Sequence, residues 1–211
     1  MVISNNPLTT AVVTKCREEI DFNYVVTVTD LGTVSRWWAS YNADLIFSAT
    51  EETTEVLLNF CPNCKLVTGY YSSKKVRRLS EQEVHKEKEN FCKESSFNPA
   101  MPIILVTGSG ISTIKIFKKI QKFITKSEYQ FLILTGRDVK LEKRLKKEFE
   151  GNKRIYIQGF TDKILTLFHI ADVIIAKPGA NTVLEIEKVN RKTIFTDTVG
   201  YQEVGNVEYL L

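Results

Sequence analysis

The stretch Ile103-Ile-Leu-Val-Thr-Gly-Ser-Gly110 decides the fold, together with the residues that follow it to Thr125. A short, continuous apolar run is typical of a strand that is buried on both faces. The two glycines after it predict a tight turn. Apolar Ile116, Ile120 and Ile124 then recur at helical spacing. We therefore predict a buried strand, a glycine turn and a helix.

The same alternation of strand and helix continues to the end of the chain. Apolar strand-like runs start near Phe131, Ile155, Val173 and Thr193, and amphipathic segments of helical length separate them. This rhythm indicates βαβ units around a parallel sheet with helices on both faces. We predict an α/β fold in which residues 101–211 form a Rossmann-like domain that is incomplete at its end.

The first part of the chain shows a shorter version of this rhythm. Strands are predicted at 24–28, 45–47 and 65–68, and a helix is predicted at 51–60. Residues 1–70 are therefore interpreted as a partial N-terminal domain of the same class. Residues 71–100 are polar and charge-rich with few apolar positions, so we predict a charged linker with a marginal helix there.

Bulk composition excludes several classes of protein. Hydrophobic residues make up 43% and charged residues 26%, which is a globular composition, and 10 Gly with 5 Pro argue against broad disorder. No apolar run reaches the roughly 18 residues that span a bilayer, and the first ten residues lack the features of a signal peptide. Cys61 and Cys64 form a lone CxxC without a second pair, so we expect free thiols and no metal site.

Basic charge is concentrated in one part of the chain. Residues 115–154 hold 13 Lys and Arg against 5 Asp and Glu, while the whole chain has a net charge of +4. Two interpretations stay open: solvated helix faces, or attraction to lipid headgroups or phosphates. The sequence contains no familiar nucleic-acid motif, so we do not expect a nucleic-acid partner.

Three strand-end loops carry candidate ligand-binding residues, because ligands of doubly wound sheets bind outside the carboxyl ends of the strands. Gly108, Ser109 and Gly110 open a helix whose N-terminus favours a phosphate, although the loop is equally consistent with a tight turn. Arg137 follows the next strand and suits a phosphate or base, or else a surface ion pair. Phe160 follows the third strand, where its backbone suits a base edge, or else it is a core residue.

The fourth loop, Lys177-Pro-Gly-Ala-Asn-Thr182, precedes Glu185 by one helical turn. Gly179 permits close approach of a ligand, and Thr182 is predicted to cap the helix and to bind a phosphate. The Glu185 carboxylate suits the two hydroxyls of a ribose. The alternative is a simple capping box, in which Thr182 and Glu185 serve the helix alone.

The fifth loop, Gly200-Tyr-Gln-Glu203, places Gln202 and Glu203 where they can hold hydroxyl groups, with Asn206 close behind. An ordinary helix start is the alternative. A rim of Gly, Thr, Lys, Arg, Glu and Gln side chains suits a nucleotide diphosphate with hydroxyl-rich ends.

The fourth and fifth loops resemble the donor signature of monogalactosyldiacylglycerol synthases and processive diacylglycerol glucosyltransferases. The peptidoglycan lipid-linked N-acetylglucosaminyltransferase is a more distant relative. The matching motifs are Lys177 to Glu185 and Gly200 to Asn206, and the similarity extends upstream through the loops at residues 159–160, 136–137 and 107–110. Residues 27–30, 37–38, 44 and 49–52 resemble the late strands of the family's acceptor domain.

The resemblance implies a GT-B fold, which consists of two Rossmann-like domains facing a cleft. It implies an enzyme that transfers a hexose, with inversion, from a UDP-sugar to a diacylglycerol-type lipid at the cytoplasmic face of a membrane. It implies no cofactor and no required metal. By matching position, Glu185 would bind ribose, Thr182 and Ser109 the diphosphate, Phe160 the uracil, and Gln202 with Glu203 the sugar. Asp30 would line the cleft.

Several family features are missing from this sequence. Nothing matches the Gly-rich, His-containing loop at the start of family members, and Ala180, Asn181 and Tyr201 replace glycines common in the donor loops. We therefore expect a chain that is truncated at both ends. Two alternatives stay open: a fragment that binds nucleotide sugar and is either non-catalytic or completed by a partner chain, and a UDP-sugar epimerase-like enzyme.

Overall fold

The computed structural model describes residues 1–69, 77–108, 111–196 and 202–211, and it gives the backbone alone for residues 111–113 and 202. These residues form two compact units. Unit 1 contains residues 1–69, 179–183 and 202–211, and unit 2 contains the described residues of 77–178 and 184–196. Within the described ranges, no helix has the length and apolarity to cross a membrane.

Unit 1 is built on a parallel sheet of four strands in the order β1-β2-β3-β4. The strands are β1 (Val2–Ser4), β2 (Tyr24–Thr27), β3 (Leu45–Ser48) and β4 (Leu66–Thr68). Helix α1 (Pro7–Cys16) joins β1 to β2, and helix α2 (Glu51–Phe60) joins β3 to β4. The core contains the aromatic rings of Tyr24 and Trp38 together with apolar residues of β2, β3 and α2.

The sequence did not predict β1 and α1. Helix α1 buries Thr10 and Thr14 in place of the usual apolar stripe. Both hydroxyls are satisfied: that of Thr10 donates to the backbone oxygen of Asn6 at 3.0 Å, and that of Thr14 donates to Ser40 Oγ at 2.7 Å. A buried face made of threonine leaves no apolar period of 3.6 in the sequence, so hydrophobic periodicity could not find this helix.

Unit 2 is built on a parallel sheet of five strands in the order β7-β6-β5-β8-β9. The strands are β5 (Ile103–Val106), β6 (Gln130–Gly136), β7 (Ile155–Gly159), β8 (Val173–Ala176) and β9 (Lys192–Phe195). All four pairings are parallel. The predicted α/β class with parallel sheets is confirmed, because each strand run expected between residues 103 and 196 lies in this sheet.

The connections of the unit 2 sheet are helical, as the periodicity predicts: they are α4 (Ile111–Lys126), α5 (Val139–Glu148), α6 (Ile164–Ile170) and α7 (Ala180–Val189). Two further helices are α3 (Glu81–Ser95), which precedes β5 in the chain, and α8 (Gln202–Glu208), which follows β9 in the chain. Apolar residues of α4 and α5 share one buried cluster with β5, β6 and β7, so these two helices pack on the same face of the sheet. The rings of Phe117 and Phe149 meet edge to face at 6.0 Å between them.

Helix α3 occupies most of the range interpreted as a linker. Its N-terminus carries a capping box formed by Ser80 and Glu83. Phe91 is buried, and Lys88 Nζ lies 2.9 Å from Asp172 Oδ2, which also accepts the backbone N–H of Ile103 at 2.8 Å. The helix therefore packs as part of unit 2. The predicted domain boundaries at residues 70 and 100 stay a prediction.

One further expectation is wrong. Cys61 and Cys64, expected to be free thiols, form a disulfide across the turn after α2. Helix α8 ends at Glu208.

Candidate functional site

The strand order of unit 2 creates a switch point between β5 and β8. The chain proceeds from β5 outward through β6 to β7, and then returns to β8 on the other side of β5. In sheets of this kind the two loops that follow the central pair of strands diverge and leave a crevice at the carboxyl edge. Thr107 and Gly108 follow β5, and Lys177 follows β8, so the predicted residues Gly108 and Lys177 lie at this edge.

Arg137 and Phe160 meet at the same edge, one strand further out. Arg137 follows β6 and Phe160 follows β7, and these strands are paired up to Gly136 and Gly159. The guanidinium carbon of Arg137 lies 4.8 Å from the centroid of the Phe160 ring, which is 64% exposed. The expected alternatives were an ion pair for Arg137 and a core position for Phe160. The structure instead pairs the two as an exposed cation–π contact.

Two glycines shape this part of the edge. Gly136 has a φ of +59°, a left-handed conformation that a side chain would strain. A Cβ at Gly159 would lie 2.5 Å from Glu142 Oε2, so the β7 backbone passes close to α5 there. No sequence pattern indicates this approach, because Glu142 is near Gly159 only in three dimensions.

Helix α7 begins at Ala180, directly after the loop that follows β8. Thr182 therefore lies inside the first turn, and both the predicted N-cap and the capping-box alternative are wrong. The first helical hydrogen bond runs from the N–H of Val183 to the carbonyl of Gly179 at 2.9 Å. The N–H groups of the preceding first-turn residues, Asn181 and Thr182 included, have no acceptor within the helix, which is the arrangement that favours an anion.

Glu185 lies one turn further along α7 and is half-buried. Burial raises the pKa of its carboxyl group. A half-buried carboxylate accepts hydrogen bonds with little competition from water, which suits a pair of ribose hydroxyls.

The remaining predicted residues of the strand-end loops are Gly179, Asn181, Ser109, Gly110 and Gln202. Gly179 has open space around the position of a Cβ, and Asn181 is exposed. Ser109 and Gly110 lie outside the described residues. Gln202 begins α8, and only its backbone is described.

Asp30, the predicted cleft residue, belongs to a hydrogen-bonded cluster in unit 1. Its Oδ2 accepts the indole N–H of the buried Trp38 at 2.7 Å. Burial, and to a lesser degree the charge of Glu203, raises the pKa of the Asp30 carboxyl, while the bond from Trp38 opposes this shift. The hydroxyl of Thr53 donates to the Asp30 carbonyl at 2.9 Å. The sequence did not single out Thr53, whose spacing from Asp30 carries no recognisable signal.

Helix α8 packs against the segment that follows Asp30. Asn206 is 1% exposed, and its Oδ1 accepts the backbone N–H of Leu31 at 3.0 Å. The N–H of Gly205 donates to the hydroxyl of Thr33 at 3.1 Å, and a Cβ at Gly205 would lie 2.1 Å from the Thr33 nitrogen. The structure thus uses Asn206 inside unit 1. Its predicted contact with a donor stays a prediction, as does that of Glu203.

Neither histidine lies at the carboxyl edge of the sheet. His169 is buried on α6, and its Nε2 lies 3.3 Å from the backbone nitrogen of Leu79 and 3.2 Å from the backbone oxygen of Arg77. Burial lowers the pKa of this imidazole. His85 is exposed on α3. Over the described part of the chain, no group of His, Cys, Asp or Glu is arranged to hold a metal ion.

Comparison with known proteins identifies relatives of this architecture. Residues 103–198 match the model of the Glycosyltransferase family 28 C-terminal domain. A processive diacylglycerol beta-glucosyltransferase of Bacillus licheniformis is 26% identical over 173 residues, which cover 80% of this chain and 44% of that protein. A probable monogalactosyldiacylglycerol synthase of Oryza sativa is 26% identical over 199 residues, which cover 89% of this chain and 38% of that protein.

The chain thus spans less than half the length of these two relatives. Among solved structures, MurG of Acinetobacter baumannii superposes with a TM-score of 0.57 at 14% identity, over 99% of this chain and 57% of that one. The resemblance and the GT-B-like fold class predicted from the sequence are confirmed.

Proposed function

We propose that the chain binds a UDP-sugar at the carboxyl edge of the unit 2 sheet, and the match of residues 103–198 to the model of the Glycosyltransferase family 28 C-terminal domain supports this proposal. We propose further that it serves the transfer of a hexose, with inversion, to a diacylglycerol-type lipid at the cytoplasmic face of a membrane. The switch point between β5 and β8 carries this proposal, because it brings Gly108 and Lys177 to one edge of unit 2.

The roles follow from the chemistry of each group. The diphosphate would face the first turn of α7, where Thr182 and Asn181 contribute N–H groups at the positive end of the helix dipole. Glu185 would accept the ribose hydroxyls. Arg137 and Phe160 would contact the base, and Gln202, Glu203 and Asn206 would hold the sugar. Gly108, Gly110 and Gly179 would let the backbone approach the donor, and Ser109 would bind the diphosphate. Asp30 would line the acceptor side. No cofactor is proposed.

The transfer would be a direct displacement. A lipid hydroxyl attacks the anomeric carbon as the bond from that carbon to the phosphate oxygen breaks, and UDP departs with the electron pair. Lys177 and the N-terminus of α7 would stabilise the charge that develops on the diphosphate. A base must take the hydroxyl proton, and no residue is assigned to that role.

Two other functions remain alternatives. A non-catalytic fragment, or one completed by a partner chain, would bind UDP-sugar without transferring it. A UDP-sugar epimerase-like enzyme would convert the sugar nucleotide in the absence of any lipid.

Calorimetric titration with UDP tests the donor site. Glu185→Ala should weaken binding by about 1–3 kcal/mol, because it removes hydrogen bonds to a charged, half-buried group. Glu187→Ala is the matched control, since Glu187 is an exposed residue of the same helix, and it should leave the affinity unchanged. Absence of UDP binding in the folded wild-type chain would contradict the proposal.

Product analysis with UDP-glucose or UDP-galactose then separates the alternatives. A glycolipid formed only when diacylglycerol is present supports the transferase. An altered sugar nucleotide without lipid supports the epimerase, and UDP binding without any product supports the fragment.

A further inference from the structure

Helices α4 and α5 concentrate the positive charge of the molecule. Helix α4 has five lysines and no acidic residue, and α5 has five basic residues and two glutamates. The two helices together therefore carry a formal charge of +8, whereas the whole chain carries +4, so the remainder of the chain is net negative. Helix α3 of the same unit shows the contrasting pattern, with three lysines among five glutamates.

The positions of these cations place them on the outer faces of the two helices. On α4 they recur at intervals of three, four and seven residues, which is the spacing of one helix face. The α5 cations follow the same spacing. We call the exposed set the basic surface: Lys115, Lys118, Lys119, Lys122, Lys126, Lys140, Lys143, Arg144 and Lys147.

The two helix faces lie side by side. Both helices pack their apolar sides on the same face of the sheet, and Gln121 of α4 donates to Glu148 of α5 at 2.7 Å. The other α5 carboxylate, Glu142, pairs with Lys146 at 2.6 Å. Both acidic groups of the helix pair are thus engaged, and the basic surface itself includes no acidic residue.

Exposed aromatic rings lie at one end of this surface. Phe123 on α4 is 45% exposed and Tyr129 is 44% exposed, with their ring centroids 6.2 Å apart. Aromatic side chains beside lysines suit the headgroup region of a bilayer, where rings and cations are both favoured.

We propose that the basic surface docks unit 2 on a bilayer that contains anionic lipids. The proposal rests on the proposed membrane-facing function, but it assigns the contact to one pair of helices. Clustered cations are attracted to an anionic leaflet, and the attraction falls off within a Debye length, so binding should require anionic lipid and weaken with salt. A bilayer is favoured over nucleic acid because the relatives named above act on diacylglycerol.

Vesicle co-sedimentation of the full chain tests this proposal. The wild type should bind vesicles of phosphatidylcholine mixed with phosphatidylglycerol at low salt, and should not bind pure phosphatidylcholine. Changing Lys115, Lys119, Lys122 and Lys126 to Gln should weaken binding at least about tenfold. Each cation near an anionic surface contributes up to about a fivefold effect, and this variant removes four of them.

The control variant changes four exposed lysines elsewhere in unit 2, Lys86, Lys93, Lys163 and Lys192, to Gln. It alters the net charge equally and should change vesicle binding less than about threefold, because these lysines lie outside the cluster.

Equal losses in the two variants would overturn the proposal, as would wild-type binding that ignores lipid charge. Binding to a random oligonucleotide as tight as vesicle binding at the same salt would overturn it in favour of nucleic acid. UDP titration and circular dichroism of each variant are measured alongside. A wild-type chain that binds UDP but not anionic vesicles would count against this surface alone, whereas a wild-type chain that binds anionic vesicles but not UDP would count against the donor site alone.

Discussion

Two groups of predicted site residues have different surroundings in this molecule. At the edge of unit 2, Arg137 and Phe160 are exposed and contact each other. In unit 1, Asp30 and Asn206 direct their oxygens into hydrogen bonds with Trp38 and Leu31. An exposed group exchanges water for a ligand, whereas a buried and bonded group must break a protein contact first.

The difference shows that position after a strand does not by itself leave a side chain exposed to a ligand. Asn206 was chosen by the same reasoning as Arg137, but its side chain is 1% exposed and bonded within unit 1. We expect substitutions in the unit 1 group to act on stability, and substitutions at the unit 2 edge to act on nucleotide affinity. Both tryptophans of the chain lie in unit 1, so tryptophan fluorescence reports its unfolding separately.

Gly205→Ala should have the largest effect. Its Cβ would lie 2.1 Å from the backbone nitrogen of Thr33, and backbone cannot move aside as a flexible side chain can. We expect unit 1 to lose about 3 kcal/mol, at the upper end of ordinary overpacking. Urea unfolding followed by tryptophan fluorescence measures this loss. Gly69→Ala, which has open space around it, is the control, and equal midpoints for the two variants would contradict the close packing of α8.

Asn206→Ala should destabilise unit 1 by about 1–3 kcal/mol, because the buried N–H of Leu31 loses its acceptor. The same fluorescence experiment applies. Asn181→Ala provides the contrast, since Asn181 is exposed and its loss should cost less than about 0.5 kcal/mol. The distinction between the two groups fails if Asn206→Ala unfolds like the wild type while losing affinity for UDP.

Asp30 should give unit 1 a dependence on pH. Burial raises its pKa above 3.8 in the folded state, so the folded state binds the proton more tightly than the unfolded state does. This contribution to stability is fully present below pH 3.8 and is lost as the pH rises through the raised pKa. Asp30→Asn stays neutral and keeps an acceptor for Trp38. Its stability relative to the wild type should therefore increase from acidic to neutral pH.

Asp44→Asn should show the opposite trend. Arg17, and then the backbone N–H of Tyr24, lower the pKa of the Asp44 carboxyl below 3.8. Its contribution is present above that value and is lost as the pH falls through the lowered pKa. Parallel pH profiles for the two variants would show that the burial of Asp30 has no such consequence.

Arg137→Ala should have the smallest effect on stability. An exposed cation–π contact contributes about 0.5–1 kcal/mol, so unfolding of unit 2, followed by circular dichroism, should change by no more than that. Affinity for UDP should fall several-fold in calorimetry. Arg144→Ala removes the same charge from α5 and should leave UDP binding unchanged. A large loss of stability in Arg137→Ala would place this residue with the unit 1 group.

The sequence by itself determined the order of most elements and the edge where we propose that ligands bind. The reason is that a strand buried on both faces consists of a continuous apolar run, as at Ile103 to Val106. In the helices between the strands, apolar residues recur with a period of 3.6. The parallel arrangement follows, and with it the convergence of the strand-end loops. The clustering of lysines on α4 was also visible in the sequence.

Only the tertiary structure decided which polar side chains form hydrogen bonds within the protein. Helix α1 was invisible because Thr10 and Thr14 are buried through hydrogen bonds, and polar residues of this kind carry no hydrophobic period. Thr182 lies within α7 because the helix starts two residues before it, a difference within the usual uncertainty of a helix end. Asn206 bonds Leu31 across 175 residues of sequence. Such contacts depend on distance in space, which the local sequence does not specify.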